Sequence, residues 1–297
     1  MTSREIEHHT ANVRDGRVHY LKAGTGDPVV LLHGWPQTSA TWNATVQALA
    51  ERYTVIAPDL RGMGFSSKAV DGYDTDNVAE DIHALVRHLG FTDIDLAGHD
   101  WGGAVAYAYA AQYRDEVKHL AIFEMVLPGL GLMEQAMVPQ SNGNFLWHMG
   151  FQSVPGVPEL LPSGREGAYM NHIFQLYAYN PDAVRPERMA HYVTSMQNTG
   201  ALRAGLGYYR DYFASAEQNR KHSKTKLAMP VLAMGGEASL AALTKQCLDM
   251  VADNVVGGVI PRCGHWISEE RPEFIADTLR RFLAGEQISH AATDATA

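Results

Sequence analysis

Short apolar runs closed by glycine or proline alternate with helix-spaced segments along the first part of this chain. Val29-Val30-Leu31-Leu32 follows Asp27-Pro28 and stops at His33-Gly34. A continuous run of that length suits a strand buried on both faces, the environment of a parallel sheet. Residues 18–22, 53–57, 94–97 and 117–123 read as further strands. Residues 40–52, 77–89 and 102–113 between them have helical spacing. In 77–89, Val78, Ile82, Leu85 and Val86 share one face and Gly90 follows the end. Strand and helix alternating over short connections predict an α/β domain, with a mostly parallel sheet and helices on both faces.

The pattern breaks at residues 128–224. Aromatics, Met, Asn and Gln become common there and long β-type runs vanish. Residues 166–178 and 186–197 look helical, so the stretch reads as a helical cap inserted into the core. Strands at 229–234 and 255–260 and helices at 240–251 and 272–283 then complete the α/β pattern. The expected division is a core from 1–127, the cap from 128–224, the rest of the core from 225–285, and a frayed tail from 286–297.

Composition removes several function classes. The 297 residues hold 24 Lys+Arg against 33 Asp+Glu, a net −9 that repels polyphosphates and anionic membranes. Nucleic-acid and membrane partners are therefore not expected. Two cysteines, Cys247 and Cys263, cannot build a disulfide framework and read as free thiols in a reducing compartment. No basic-then-apolar leader opens the chain and no run of about 18 apolar residues occurs. The expectation is a cytoplasmic protein.

The chemistry centres on Gly98-His99-Asp100-Trp101-Gly102-Gly103, between a strand and an Ala-rich helix. Small residues around one reactive side chain on a sharp strand-to-helix turn make a nucleophile elbow. Here the reactive position is Asp100. A carboxylate with a pKa near ~4 is ionised at neutral pH and needs no base to attack. Attack on an acyl carbon would give an anhydride. Attack on an sp³ carbon gives an ester that water can hydrolyse. Asp100 thus favours opening an epoxide or displacing a halide. The plainer reading is that Asp100 caps the next helix.

His33-Gly34-Trp35-Pro36-Gln37 follows the strand at 29–32. The amides of Trp35 and Trp101 are the candidate oxyanion hole, and Pro36 is a candidate cis bond. His265, in Gly264-His265-Trp266 after the last strand, is the candidate water activator. Two acids could orient it. Glu124 directly follows the strand at 117–123, and Glu237 follows the strand at 229–234. Glu124 is preferred, because Glu237 follows Gly235-Gly236 too closely and Ser239 stands where that acid would fall.

With Asp59-Leu60-Arg61-Gly62-Met63-Gly64-Phe65-Ser66 added, these strings give a specific match. Over nearly all of residues 15–284 the chain resembles the α/β-hydrolase superfamily, and within it the epoxide hydrolase and dehalogenase branch. The resemblance implies an α/β-hydrolase fold with a helical cap. It also implies cap proton donors for the epoxide oxygen, here His148 and Tyr209. Such a His/Tyr pair, with an acid at the Glu124 position, is similar to the Cif-like epoxide hydrolases.

The expected reaction is hydrolysis of a small apolar epoxide to a vicinal diol by way of an Asp100 ester. Haloalkane dehalogenation by the same route is the alternative, with Trp101 as a halide donor, and a catalytically idle receptor or scaffold is a further one. Trp35 at the oxyanion turn resembles epoxide hydrolases. Trp101, Ala104 and Met149 depart from the fluoroacetate dehalogenase pattern. No phosphate loop or His-Glu-x-x-His occurs, and His8-His9 reads as solvated, so no metal and no organic cofactor are expected. A homodimer through the cap is compatible with the sequence.

Overall fold

The computed structural model describes residues 5–139 and 146–288. Parts of three expectations lie outside the described residues: 1–4 of the N-terminal stretch, 140–145 of the insertion and 289–297 of the tail.

Eight strands form one sheet: β1 Glu7–Val13, β2 Gly16–Ala23, β3 Asp27–Leu32, β4 Tyr53–Pro58, β5 Ile94–His99, β6 Val117–Phe123, β7 Val231–Gly236 and β8 Val255–Ile260. Their order is β1-β2-β4-β3-β5-β6-β7-β8. β1/β2 and β2/β4 are antiparallel and every later pairing is parallel. A mostly parallel sheet in this order is the architecture that the resemblance implies.

The central strands bury both faces, as their unbroken apolar runs require: β5 is buried at every residue and β3 at all but Asp27. The helices Thr75–His88, Trp101–Gln112 and Leu243–Val251 cover one face, and Asn43–Leu49 and Pro272–Leu283 the other. In Pro272–Leu283 the residues turned inward are Ile275, Leu279 and Phe282, spaced four and three apart. Each such burial stabilises the fold by about 1.5–3 kcal/mol.

Strand β1 departs from the sequence expectation. It is an edge strand in which only Ala11 and Val13 are buried, so it carries no apolar alternation to read. The expected helix at 40–52 is a 3-10 turn, Ser39–Trp42, followed by Asn43–Leu49. The Thr38 hydroxyl caps that turn by accepting from the Ala40 amide.

The chain switches direction across the sheet at β3: β4 lies on one side of it and β5 on the other. Loops leaving the carboxyl ends of β3 and β5 therefore diverge and open a crevice, the position where α/β sheets bind ligands. Of the helices between β6 and β7, Trp147–Ser153 and Glu166–Tyr177 roof that crevice, while Tyr212–His222 packs on the core helices Thr75–His88 and Trp101–Gln112. Trp266 Nε1 donates to the Phe174 carbonyl at 2.8 Å, and the Tyr192 hydroxyl donates to Glu269, tying roof to core. No described helix is long and apolar enough to cross a membrane.

Candidate active site

Asp100 stands between β5 and the helix Trp101–Gln112 with φ 52° and ψ −131°. A non-glycine residue held at positive φ is strained, and such strain gathers at functional sites. The turn is possible because its neighbours lack side chains. A Cβ on Gly102 would lie 2.4 Å from the His33 carbonyl oxygen, and one on Gly34 would lie 2.2 Å from Asp100 Oδ1.

The Asp100 carboxylate does not cap its helix. Oδ1 instead accepts the Trp35 N–H at 2.8 Å, and the Trp101 amide dipole acts on the same carboxylate. Those are the two amides expected to form an oxyanion hole. Trp35–Pro36 is a cis peptide bond. His33, fully buried, braces this turn: Nδ1–H donates to the Gly34 carbonyl and Nε2 accepts from the Leu60 amide.

His265 reaches over the elbow from the loop after β8. Its Nε2 is 3.5 Å from Asp100 Oδ2 and its Nδ1 is 2.9 Å from Glu124 Oε2. Its backbone is fixed at both ends, since its N–H donates to the Tyr177 carbonyl and its carbonyl accepts from His99 Nε2. Glu124, also at positive φ, is 1% exposed. Its Oε1 accepts the Gly236 and Leu240 amides, and its Oε2 accepts the Ser239 hydroxyl beside His265. Glu237 is not brought to this histidine. It is exposed, and its carboxylate accepts the Arg262 amide at 2.8 Å.

These contacts set the charges. Burial would drive Asp100 towards its neutral form, but the His265 hydrogen bond and charge and the Trp101 amide hold its pKa below the ordinary value. Burial would depress His265, but Asp100 and Glu124 outweigh it and raise the pKa to about 10. The resting pair is a carboxylate facing an imidazolium. Burial keeps the neighbouring His99 neutral, with its pKa lowered to about 3.

Across the pocket, His148 and Tyr209 come together, with ring centroids 6.0 Å apart. Burial lowers the His148 pKa to about 4 and pushes the Tyr209 hydroxyl well above its usual value. Tyr209 stands edge-on to Trp35 and Trp101. Met125, Met133, Leu146, Met149, Ile173 and Leu240 complete a pocket enclosing about 540 Å³ of non-atom space, its mouth included. Two residues here carried no sequence signal. Tyr177 only ends a helix whose spacing was legible, and His99 is one of 14 histidines. Among the described residues, no three His, Cys, Asp or Glu side chains gather as a metal site.

The fold and this arrangement define an α/β hydrolase, and the chain belongs to that family: the α/β-hydrolase-fold model matches residues 27–272. A soluble epoxide hydrolase from Corynebacterium sp. (strain C12) is 38% identical over 285 residues, 95% of this chain and 99% of the relative. The solved structure of the epoxide hydrolase CorEH without ligand superposes with a TM-score of 0.86 at 37% identity, covering 95% of this chain and 99% of that one. A fluoroacetate dehalogenase from Burkholderia sp. is 28% identical, covering 94% of each chain.

Proposed function

We propose that this protein hydrolyses an apolar epoxide to a vicinal diol through a covalent ester on Asp100. The observation that carries the reading is a carboxylate at the elbow, one oxygen held by the Trp35 amide, facing two neutral cap donors across an apolar pocket. Asp100 Oδ2 is the attacking oxygen, because Oδ1 already occupies the amide hole. As the ring opens, the C–O electron pair goes to the epoxide oxygen, which His148 and Tyr209 stabilise by hydrogen bonds.

Esterification removes the Asp100 charge that helps keep His265 protonated. The His265 pKa then falls, its proton passes to the alkoxide left by ring opening, and the neutral Nε2 becomes able to take a proton from water. Glu124 holds the ring through Nδ1. Water attacks the ester carbonyl carbon and gives a proton to His265, and the amides of Trp35 and Trp101 take up the developing oxyanion. The carbonyl re-forms as the bond from that carbon to the substrate oxygen breaks, and the water's remaining proton goes to the leaving oxygen. The diol departs, leaving Asp100 a carboxylate and His265 an imidazolium. The identity to the Corynebacterium relative supports the same reaction class.

Halide displacement is the second reading, favoured by the Burkholderia relative's activity. Against it, His148 and Tyr209, two donors suited to an epoxide oxygen, line the pocket with Asp100. Two further parts of the proposal follow from the surface and the thiols. Exposed Val157, Leu160 and Leu161 offer a face for a homodimer through the cap. Cys247 and Cys263 are free and buried, which suits the reducing cytoplasm.

Incubation with a panel of apolar epoxides and with bromoalkanes tests the reading. Diol formation without bromide release is expected. Bromide release without diol formation refutes it.

A further inference from the structure

Tyr177 ends the helix Glu166–Tyr177 and lines the same pocket as Asp100 and His265. It touches both histidines of the site. Its carbonyl accepts the His265 N–H at 2.8 Å, and its hydroxyl lies 2.7 Å from His148 Nδ1. The Glu270 carboxylate fixes this seam. Oε2 takes the Tyr179 and Asn180 amides at 2.8 and 3.0 Å, and Oε1 takes the Gly264 and Trp266 amides at 3.0 and 3.3 Å. Tyr177 is therefore held in register with the His265 loop, and its ring direction is set against His148.

A neutral imidazole carries one N–H, and the hydrogen bond at one nitrogen decides which nitrogen bears it. His148 has Nδ1 on Tyr177, so Nε2, at the far side of the ring, is the nitrogen left for substrate. Two features favour the phenol as the donor. A phenol carries its proton at neutral pH, and His148 Nδ1 lies 2.7 Å from that hydroxyl, within reach to accept it. The Asp100 charge also acts on the His148 ring. An N–H turned into the pocket is attracted by that charge, whereas a lone pair there is repelled.

We propose that Tyr177 is a positioning residue for ring opening: its hydroxyl donates to His148 Nδ1 and thereby fixes the Nε2–H tautomer that meets the epoxide oxygen. This rests on the epoxide reading above. The alternative tautomer would present a bare Nε2 that cannot donate, leaving Tyr209 as the sole donor.

The first test needs no substrate. The full chain is labelled with ¹⁵N-histidine, and His148 is assigned by the signal lost in His148→Gln. The wild type should show His148 protonated at Nε2 with Nδ1 accepting. The titratable groups facing His148 are Asp100, His265, Tyr177 and Tyr209. In Tyr177→Phe the bond that selects the tautomer is gone, so the Nδ1–H form of His148 should become populated. A tautomer unchanged in the variant, or an Nδ1–H tautomer in the wild type, overturns the proposal. The second test is single-turnover kinetics with an epoxide. Tyr177→Phe should slow ester formation about fivefold, the worth of a neutral hydrogen bond near 1 kcal/mol, and leave ester hydrolysis unchanged. Equal slowing of both steps, or none, overturns it. Diol formation by the wild type reports separately on the epoxide reading.

Discussion

Glu124→Gln is the substitution whose consequence the geometry defines most closely. Four hydrogen bonds converge on this carboxylate: two backbone amides on Oε1, and the Ser239 hydroxyl and His265 Nδ1 on Oε2. A glutamine amide accepts at one oxygen only. With that oxygen turned to Gly236 and Leu240, its NH₂ confronts the His265 N–H, donor against donor. With the amide flipped, two buried backbone N–H groups lose their acceptor instead. The side chain has almost no solvent to relax into, because it is 1% exposed. Hydrogen bonds to a charged group contribute about 1.5–3 kcal/mol, which converts to roughly 10- to 150-fold in rate. The loss should fall on ester hydrolysis, the step that uses His265, while ester formation keeps its wild-type rate. Rapid-quench mass spectrometry of the protein during turnover reads both steps, and the Asp100 ester should accumulate in the variant. Glu237→Gln, altering a carboxylate that braces Arg262, should turn over like the wild type. If Glu124→Gln hydrolyses its ester normally, or Glu237→Gln accumulates it, the assignment of the orienting acid is wrong.

Tyr209→Phe removes a buried donor across from Asp100, and ester formation should slow about tenfold or more in stopped-flow measurements, with hydrolysis unaffected. Leu279→Ala opens a cavity under the helix Pro272–Leu283, and urea unfolding should show a loss of about 2–5 kcal/mol with catalysis retained. The His265 pKa rises from 6.5 in the unfolded chain to about 10 in the fold. Its stabilising contribution is therefore complete below pH 6.5 and is lost as pH climbs through about 10. The stability difference between wild type and His265→Gln, measured by denaturant melts, should shrink across that window.

Strands were legible where burial on two faces demands an unbroken apolar run, and the ends of β8 and of the helices Pro186–Gln197 and Pro272–Leu283 match residue for residue. β1 was not legible because pairing of its backbone, not its side chains, holds it at the edge. In the cap, Val157–Leu160, Ala201–Gly205 and Gly207–Arg210 span four or five residues each, too short to display a helical period. Asp100, Glu124 and His265 could be singled out because each follows a strand, and a parallel sheet delivers all its strand ends to one rim. Tyr177 could not. Its bearing on the site depends on how the cap folds back over the core, which is fixed by contacts such as Glu270 with Tyr179 that are 91 positions apart in sequence.

The central claim is that Asp100 becomes covalently attached to substrate. In His265→Gln the proposed water activator is gone while the Asp100 carboxylate and the Trp35 amide that holds it remain. Intact-mass and peptide mass spectrometry after incubation with a turned-over epoxide should find the protein heavier by one substrate, with the addition on Asp100. An unmodified Asp100 across the epoxide panel, or an adduct on another residue, contradicts the account.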